Sequence, residues 1–217
     1  MRNAKAIAVA MVLSVATCFA AAQGQAPTAP AGVQGAGQGT TGGGGGQTPA
    51  APARGVTVNQ TIVQKATAKI TGGDTISGTV EFNEYHVSNG GLIQIVYNLQ
   101  GLPQGMHGVH VHSVGRCEPP FASANGHFDP GPAGNTDADL NHPFHAGDLP
   151  NIVANATGAV TATNYTTRFN LGGPLSPFDA DGAALVIHQY PDTYQTGTKG
   201  QGVGGGNPIA CGVIVKQ

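Results

Sequence analysis

Histidine is the residue type with which this chain of 217 residues could do the most chemistry. The chain has eight histidines, although only 9% of its residues are charged. Imidazole is the side chain that most often binds metals, so this crowding predicts a metal centre. The alternative for any single histidine is a hydrogen-bonded residue of the core or surface, which we adopt for His86. The other seven are His107, His110, His112, His127, His142, His145 and His188.

Four of these histidines could surround one ion. His110 and His112 lie two residues apart in a predicted strand, where alternate side chains project from the same face. His188 ends the apolar run 183–187, and His127 lies in a long loop. An H-x-H pair alone is a weak signal, but four imidazoles together suit copper or zinc.

A second group lies close together in the sequence, at His142, His145 and Asp148. At this spacing the three side chains converge only if the loop turns back on itself, and Pro143 restricts His142 to an extended conformation. With a fourth nitrogen they would complete a tetrahedral zinc site. The alternative is a solvated loop of acidic residues and histidines.

The elements that must position these groups are β-strands. Eight short segments have strand patterns, and one of them places Ile93, Ile95 and Tyr97 on a single face. The sequence therefore predicts an all-β antiparallel sandwich or barrel with two long functional loops, 113–148 and 189–208. The predicted strands are 66–70, 77–84, 92–99, 107–112, 150–154, 157–163, 183–188 and 209–215.

The N-terminal region predicts export. Residues 1–22 have the charged start, apolar stretch and small residues of a secretory signal peptide. Residues 23–54, rich in Gly, Ala, Pro and Gln, have too few apolar side chains to fold and predict a disordered linker. Residues 55–217 form the predicted domain, which we expect in the periplasm, outside the cell or at its surface. In a second reading, acylated Cys18 anchors the protein to a membrane.

The remaining composition limits the class of protein. With Cys18 in the signal peptide, Cys117 and Cys211 remain, and two thiols in an exported chain predict one disulfide rather than two free buried cysteines. The formal net charge of −2 argues against a nucleic-acid-binding protein, which needs a basic face. No apolar run after residue 22 has the length of a membrane-spanning helix, which argues against an integral membrane protein.

Five sequence runs together resemble the copper–zinc superoxide dismutase family. They occur in the order that the family has, and the resemblance extends from about residue 66 to the C-terminus. The runs are GMHGVHVH at 105–112, GHFDP at 126–130, HAGDL at 145–149, ALVIH at 184–188 and ACGVI at 210–214.

This resemblance implies an eight-stranded antiparallel Greek-key β-barrel that disproportionates superoxide to O₂ and H₂O₂. It also implies that the copper ligands are the catalytic residues and that His127 bridges copper to a structural zinc. Asp192 would link the two sites, His107 would be buried without binding metal, and Cys117 would pair with Cys211. The implied copper ligands are His110, His112, His127 and His188, and the implied zinc ligands include His127, His145 and Asp148.

Two positions depart from the family pattern. The family's third zinc histidine falls in register with Asn135, so we expect His142 to take its place as a zinc ligand. The family's active-site arginine lies three residues before the second disulfide cysteine, where this chain has Pro208. We therefore expect a reduced rate, with Lys199 or Arg116 supplying part of the positive potential that attracts superoxide.

The sequence also fits other functions. Pro208 favours a non-enzymatic, extracytoplasmic module that binds copper and zinc. A β-barrel adhesion or lectin-like domain on a Gly-rich stalk would explain the linker but not the histidines. The resemblance also admits a homodimer, because the family pairs its barrels in more than one way.

Overall fold

The computed structural model describes residues 61–87, 90–131 and 134–217. These residues lie within one compact unit, Gly55–Gln217. The predicted signal peptide at 1–22 and linker at 23–54 lie outside the described residues. Within the described part of the chain, no helix combines the length and the apolar character needed to cross a lipid bilayer.

The described residues form nine strands, and their one helical element is a short 3₁₀ turn, Ala122–Ala124. Every predicted strand is present. The predicted segment 107–112 is divided at Gly108, whose backbone N–H donates to the Tyr190 carbonyl instead of continuing a ladder. The strands are β1 Ile62–Gly72, β2 Ile76–Val87, β3 Gly90–Gln100, β4 Gly105–His107, β5 Val109–His112, β6 Ile152–Ala154, β7 Val160–Thr166, β8 Ala184–His188 and β9 Pro208–Lys216.

The strands pair in two antiparallel sheets. Seven of them form one sheet in the order β5-β8-β9-β1-β2-β3-β7, and β4 pairs with β6 in the other. Along the chain, β3 near one end of the large sheet precedes β5 at the other end, and β7 at the first end precedes β8 near the other. Connections therefore run from one end of this sheet to the other. This sheet curls into a half-barrel, and the predicted all-β antiparallel fold is confirmed.

Strands β5 and β8 carry the functional side chains at the edge of the large sheet. All residues of both strands are buried, and β5 pairs with β8 in the register His110↔Val186. Val109 and Val111 belong to the main hydrophobic core. Because side chains alternate along a strand, His110 and His112 project to the opposite face, under the long loops.

The predicted disulfide is confirmed. Cys117, in the loop after β5, is bonded to Cys211 in β9, with their Cα atoms 5.6 Å apart. The bond therefore fixes the start of the first long loop to the centre of the large sheet.

Replacing both cysteines by serine should lower the free energy of unfolding by about 4 kcal/mol, because the bond closes a long loop in the unfolded chain. The residues it joins are 94 positions apart. Chemical denaturation of the two proteins, both with saturating metal, measures the difference. Equal unfolding midpoints with equal slopes would contradict this prediction.

Candidate metal centre

Seven histidines and three aspartates of the described residues are buried on one side of the fold. A buried polar side chain is costly unless each polar atom has a partner, so the pattern of partners shows which atoms remain for another group. His86, in contrast, is exposed. The buried residues are His107, His110, His112, His127, His142, His145, His188, Asp139, Asp148 and Asp192.

Four imidazoles meet at the end of β5 and β8. His110, His112 and His188 come from these strands, and His127 is held beside β5 by a bridge between its backbone and that of His112. One ring nitrogen from each histidine lies within 4.8 Å of the others. The structure thus brings together the four histidines that the sequence suggested for one ion. We call this set the imidazole group.

Hydrogen bonds on the far sides of these rings determine which nitrogens face inward. His112 Nδ1 lies 2.6 Å from the Asn125 carbonyl, and His188 Nδ1 lies 2.8 Å from the Gly206 carbonyl. Because a carbonyl only accepts, each Nδ1 carries the proton and each Nε2 keeps a lone pair. The two Nε2 atoms face one another at 3.4 Å. Their lone pairs are therefore available to a metal.

The other two members of the imidazole group have buried nitrogens without partners. His110 Nδ1 and His127 Nε2 make no hydrogen bond. An orphaned buried nitrogen costs free energy that a bound cation would recover. Together with the two Nε2 atoms above, they offer four imidazole nitrogens, a ligand set that copper accepts.

A second group is centred on Asp148. Its carboxylate lies 2.7 Å from His127 Nδ1, 2.9 Å from His145 Nδ1 and 3.3 Å from His142 Nδ1. We call Asp148 and these three histidines the aspartate group, which shares His127 with the imidazole group. Three nitrogens and one carboxylate oxygen are a ligand set typical of zinc.

Asp192 joins the two groups. Its Oδ2 accepts a hydrogen bond from His110 Nε2 at 2.9 Å, and its Oδ1 accepts one from His142 Nε2 at 2.7 Å. These bonds leave Nδ1 as the free nitrogen of both rings. Asn135, the residue in register with the family's zinc histidine, uses its side chain within its own loop: Oδ1 accepts from the Asp137 N–H at 3.0 Å, and Nδ2 donates to the Leu140 carbonyl at 3.4 Å. His142 is the residue whose ring lies against both Asp148 and Asp192.

Burial keeps the imidazole group uncharged. It lowers the pKa values of His110 and His112 well below the usual range, with a further lowering from neighbouring histidines. It also lowers the pKa of His127, and it lowers the pKa of His188 to about 4. These imidazoles are neutral at pH 7, which is the form that binds metals.

The carboxylates have the opposite effect in the aspartate group. Burial alone would lower the pKa of His142, but the Asp148 carboxylate 3.3 Å from its Nδ1 and the hydrogen bond of its Nε2 to Asp192 raise that pKa to about 9. Burial disfavours ionised carboxyls, yet the histidines around Asp148 and Asp192 hold the pKa values of both well below their usual range. Two permanent negative charges thus lie beside the six clustered imidazoles, ready to offset cations.

His107 lies outside both groups. Its two ring nitrogens are each 2.8 Å from a backbone carbonyl oxygen, of His188 and of Pro103. Neither nitrogen remains for a metal. The ring instead holds the end of β8 against β4.

A glycine-rich segment of the loop 189–208, which the sequence predicts as functional, covers the imidazole group. A Cβ added at Gly204 would lie 3.0 Å from Cε1 of His110 and 3.3 Å from Cε1 of His127. Gly205 has a φ of 108°, which disfavours any side chain. The run of three glycines at 204–206 was the signal for this close approach.

A cavity of about 360 Å³ opens onto His127 and His188. Its other lining side chains include Asp139, Tyr190 and Asn207, and no described lysine or arginine is among them. The two cations suggested from the sequence do not line it. Arg116 lies 3.8 Å from Glu118, and the exposed Lys199 lies 4.0 Å from Asp137.

The imidazole group and the aspartate group, defined by the contacts of Asp148, share His127. On an antiparallel β-fold, these His and Asp donors define a metalloprotein that fits copper and zinc. Comparison with known proteins then identifies the family. The sequence model of the copper/zinc superoxide dismutases (SODC) matches residues 76–214. The chain belongs to this family.

Individual relatives also belong to this family or resemble it. The chain is 40% identical over 157 residues to a Cu-Zn superoxide dismutase of Caulobacter vibrioides, covering 69% of this chain and 84% of that protein. It is 33% identical over 150 residues to one from Deinococcus radiodurans, covering 64% and 77%. Among solved structures, it matches a double mutant of a SOD-like protein from Bacillus subtilis. That match has a TM-score of 0.52 and 31% identity, and covers 68% of this chain and 95% of the other.

Proposed function

We propose that this protein is a superoxide dismutase, with copper in the imidazole group and zinc in the aspartate group. The observation that carries the proposal is the position of His127. Its unpartnered Nε2 belongs to the first group, and its Nδ1 lies 2.7 Å from Asp148 in the second. A protein that merely stored two ions would not need one imidazole to serve both.

The proposed ligands are nitrogens and a carboxylate of the imidazole group and the aspartate group. Copper would be held by His110 Nδ1, His112 Nε2, His127 Nε2 and His188 Nε2. Zinc would be held by Nδ1 of His127, His142 and His145 and by the Asp148 carboxylate. His142 replaces the usual zinc histidine, and its bond to Asp192 supports this assignment.

Bound copper would supply one-electron exchange with superoxide, and the side chains would supply orientation and a proton. Two superoxide ions and two protons give one O₂ and one H₂O₂. His127 can hold a proton on its unpartnered Nε2 while Nδ1 stays fixed beside Asp148. Returning that proton to the reduced product is general acid catalysis at a defined atom. Asp192 keeps the rings of His110 and His142 in place meanwhile.

The same site lacks the cation that would attract superoxide. Pro208 begins β9 opposite His188, and the adjacent Asn207 lines the cavity without a charge. A positively charged side chain at the mouth of a site raises the association rate of an anion by about 10- to 1,000-fold. We therefore propose a dismutase with a low second-order rate constant.

We also propose that the protein is exported. A disulfide between Cys117 and Cys211 supports this location, because such bonds persist in oxidising compartments. Residues 1–22 would be the signal peptide and 23–54 a linker, with Cys18 as a lipid attachment point in the anchored variant of this proposal. Association into a homodimer belongs to the same proposal.

Metal content and superoxide decay, measured on the same purified protein, test the function. We expect equimolar copper and zinc, and we expect the loaded protein to accelerate superoxide decay in pulse radiolysis beyond the metal-free protein. Pro208 and the uncharged cavity favour a second candidate, an extracytoplasmic module that buffers copper and zinc. Equimolar loading without any acceleration would contradict the enzyme and support that module.

A further inference from the structure

The proposed zinc histidines His142 and His145 lie in a single tight turn. The Phe144 N–H donates to the Asn141 carbonyl at 2.9 Å and closes this turn. Both imidazoles are fully buried, whereas Phe144 between them is exposed. The turn belongs to no strand. The direction of both rings therefore depends on what holds its backbone as well as on their side-chain contacts with Asp192 and Asp148.

Arg168 holds that backbone from outside. Its Nη1 donates to the Pro143 carbonyl at 2.6 Å and to the His145 carbonyl at 3.2 Å. One guanidinium nitrogen thus bonds two carbonyls of the turn that carries the two histidines. Hydrogen bonds from a charged donor are stronger than neutral ones, so this contact is the firmest one made to these carbonyls.

Arg168 is itself fixed to the sheet. It follows β7, and its backbone N–H donates to Oγ1 of the buried Thr166 at 3.2 Å. The next residue, Phe169, is buried in the core, where its ring contacts Phe128 edge to face at 6.3 Å between centroids. Phe128 directly follows His127. Arg168 therefore connects the turn to the core residues beside the shared histidine.

We propose that Arg168 is a positioning residue for the zinc site, setting the direction of His142 and His145 through the backbone of their turn. The inference rests on the proposed function, since it takes zinc to be the occupant of the aspartate group. Arg168 contacts no proposed ligand atom and does not line the cavity over the imidazole group. Its effect should therefore fall on zinc and leave copper unaffected.

The test compares Arg168→Ala and Arg168→Lys with the unsubstituted protein. Loss of a group that orients metal ligands weakens metal binding by about 10- to 100-fold, and we expect Arg168→Ala to do this for zinc, measured by competition with a chelator. Lysine keeps the charge but lacks the planar donor group, so the zinc affinity of Arg168→Lys should lie between those of Arg168→Ala and the unsubstituted protein. Copper affinity should not change, and the absorption spectrum of Co²⁺ in the zinc site should shift in the alanine variant.

Arg116→Ala is the matched control, because Arg116 is an exposed arginine whose only ionic partner is the exposed Glu118. It should leave both affinities unchanged. Unaltered zinc affinity and an unaltered Co²⁺ spectrum in Arg168→Ala would overturn the proposal, as would parallel losses of copper, zinc and thermal stability. Failure of the unsubstituted protein to bind zinc would overturn the proposed function as well. This measurement therefore distinguishes failure of the Arg168 proposal alone from failure of the proposed function.

Discussion

Replacing His127 by glutamine is expected to lower the dismutation rate constant by about 100- to 10,000-fold, the range for losing a positioned general acid. Glutamine keeps a polar side chain of similar length but cannot deliver a proton from a titrating nitrogen. It also cannot offer one nitrogen to each group, as His127 does with Nε2 and Nδ1. Pulse radiolysis of the metal-loaded variant measures the loss.

His86→Gln is the control for this experiment, because it makes the same chemical change at an exposed histidine outside both groups. It should leave rate and metal content as they are. Metal analysis of His127→Gln separates loss of the proton donor from loss of copper. A dismutase that retains copper through the other three imidazoles should still lose its activity, whereas retention of full activity would contradict the role of His127.

The strand pattern of the sequence anticipated much of the site because local geometry determines it. His110 and His112 share a face of β5 because side chains two residues apart in a strand project from the same face. His188 lies beside them because β8 pairs with β5. Period-two alternation and an apolar run ending in histidine were therefore enough to predict three of the four side chains of the imidazole group. The all-β fold was predictable for the same reason.

Local pattern could not reveal contacts made between loops. Asp192 and His142 are separated by 50 positions, yet their side chains meet at 2.7 Å. Only the family resemblance suggested a role for Asp192. The spacing of His142, His145 and Asp148 and a count of the histidines suggested His142 as a zinc ligand, but neither indicated its contact with Asp192. None of these sources pointed to Arg168, because its partners are backbone carbonyls, and such an interaction leaves no residue pattern at the turn. The division of the predicted segment 107–112 at Gly108 also depends on a contact between distant backbone groups, the hydrogen bond from the Gly108 N–H to the Tyr190 carbonyl.

The second large effect is expected from Pro208→Arg, which should raise the dismutation rate constant by about 10- to 100-fold, within the range known for electrostatic steering. Pro208 is half-buried at the start of β9 and lies opposite His188 in the register of the sheet. A guanidinium there would add a positive charge near a cavity whose charged lining side chain is Asp139. This charge would attract diffusing superoxide to the site, whereas the cavity of the unsubstituted protein is not lined by a described lysine or arginine.

Pro208→Gln serves as the matched control, because it removes the proline ring and adds a long polar side chain without a charge. It should leave the rate near that of the unsubstituted protein. Ionic strength provides the second measurement. Attraction of an anion is screened over about 10 Å at 0.1 M salt, so the gain in the arginine variant should shrink as salt is added, whereas the unsubstituted protein should respond less. If glutamine raised the rate as much as arginine, relief of a backbone constraint would explain the effect, and the missing charge would not be what limits this enzyme.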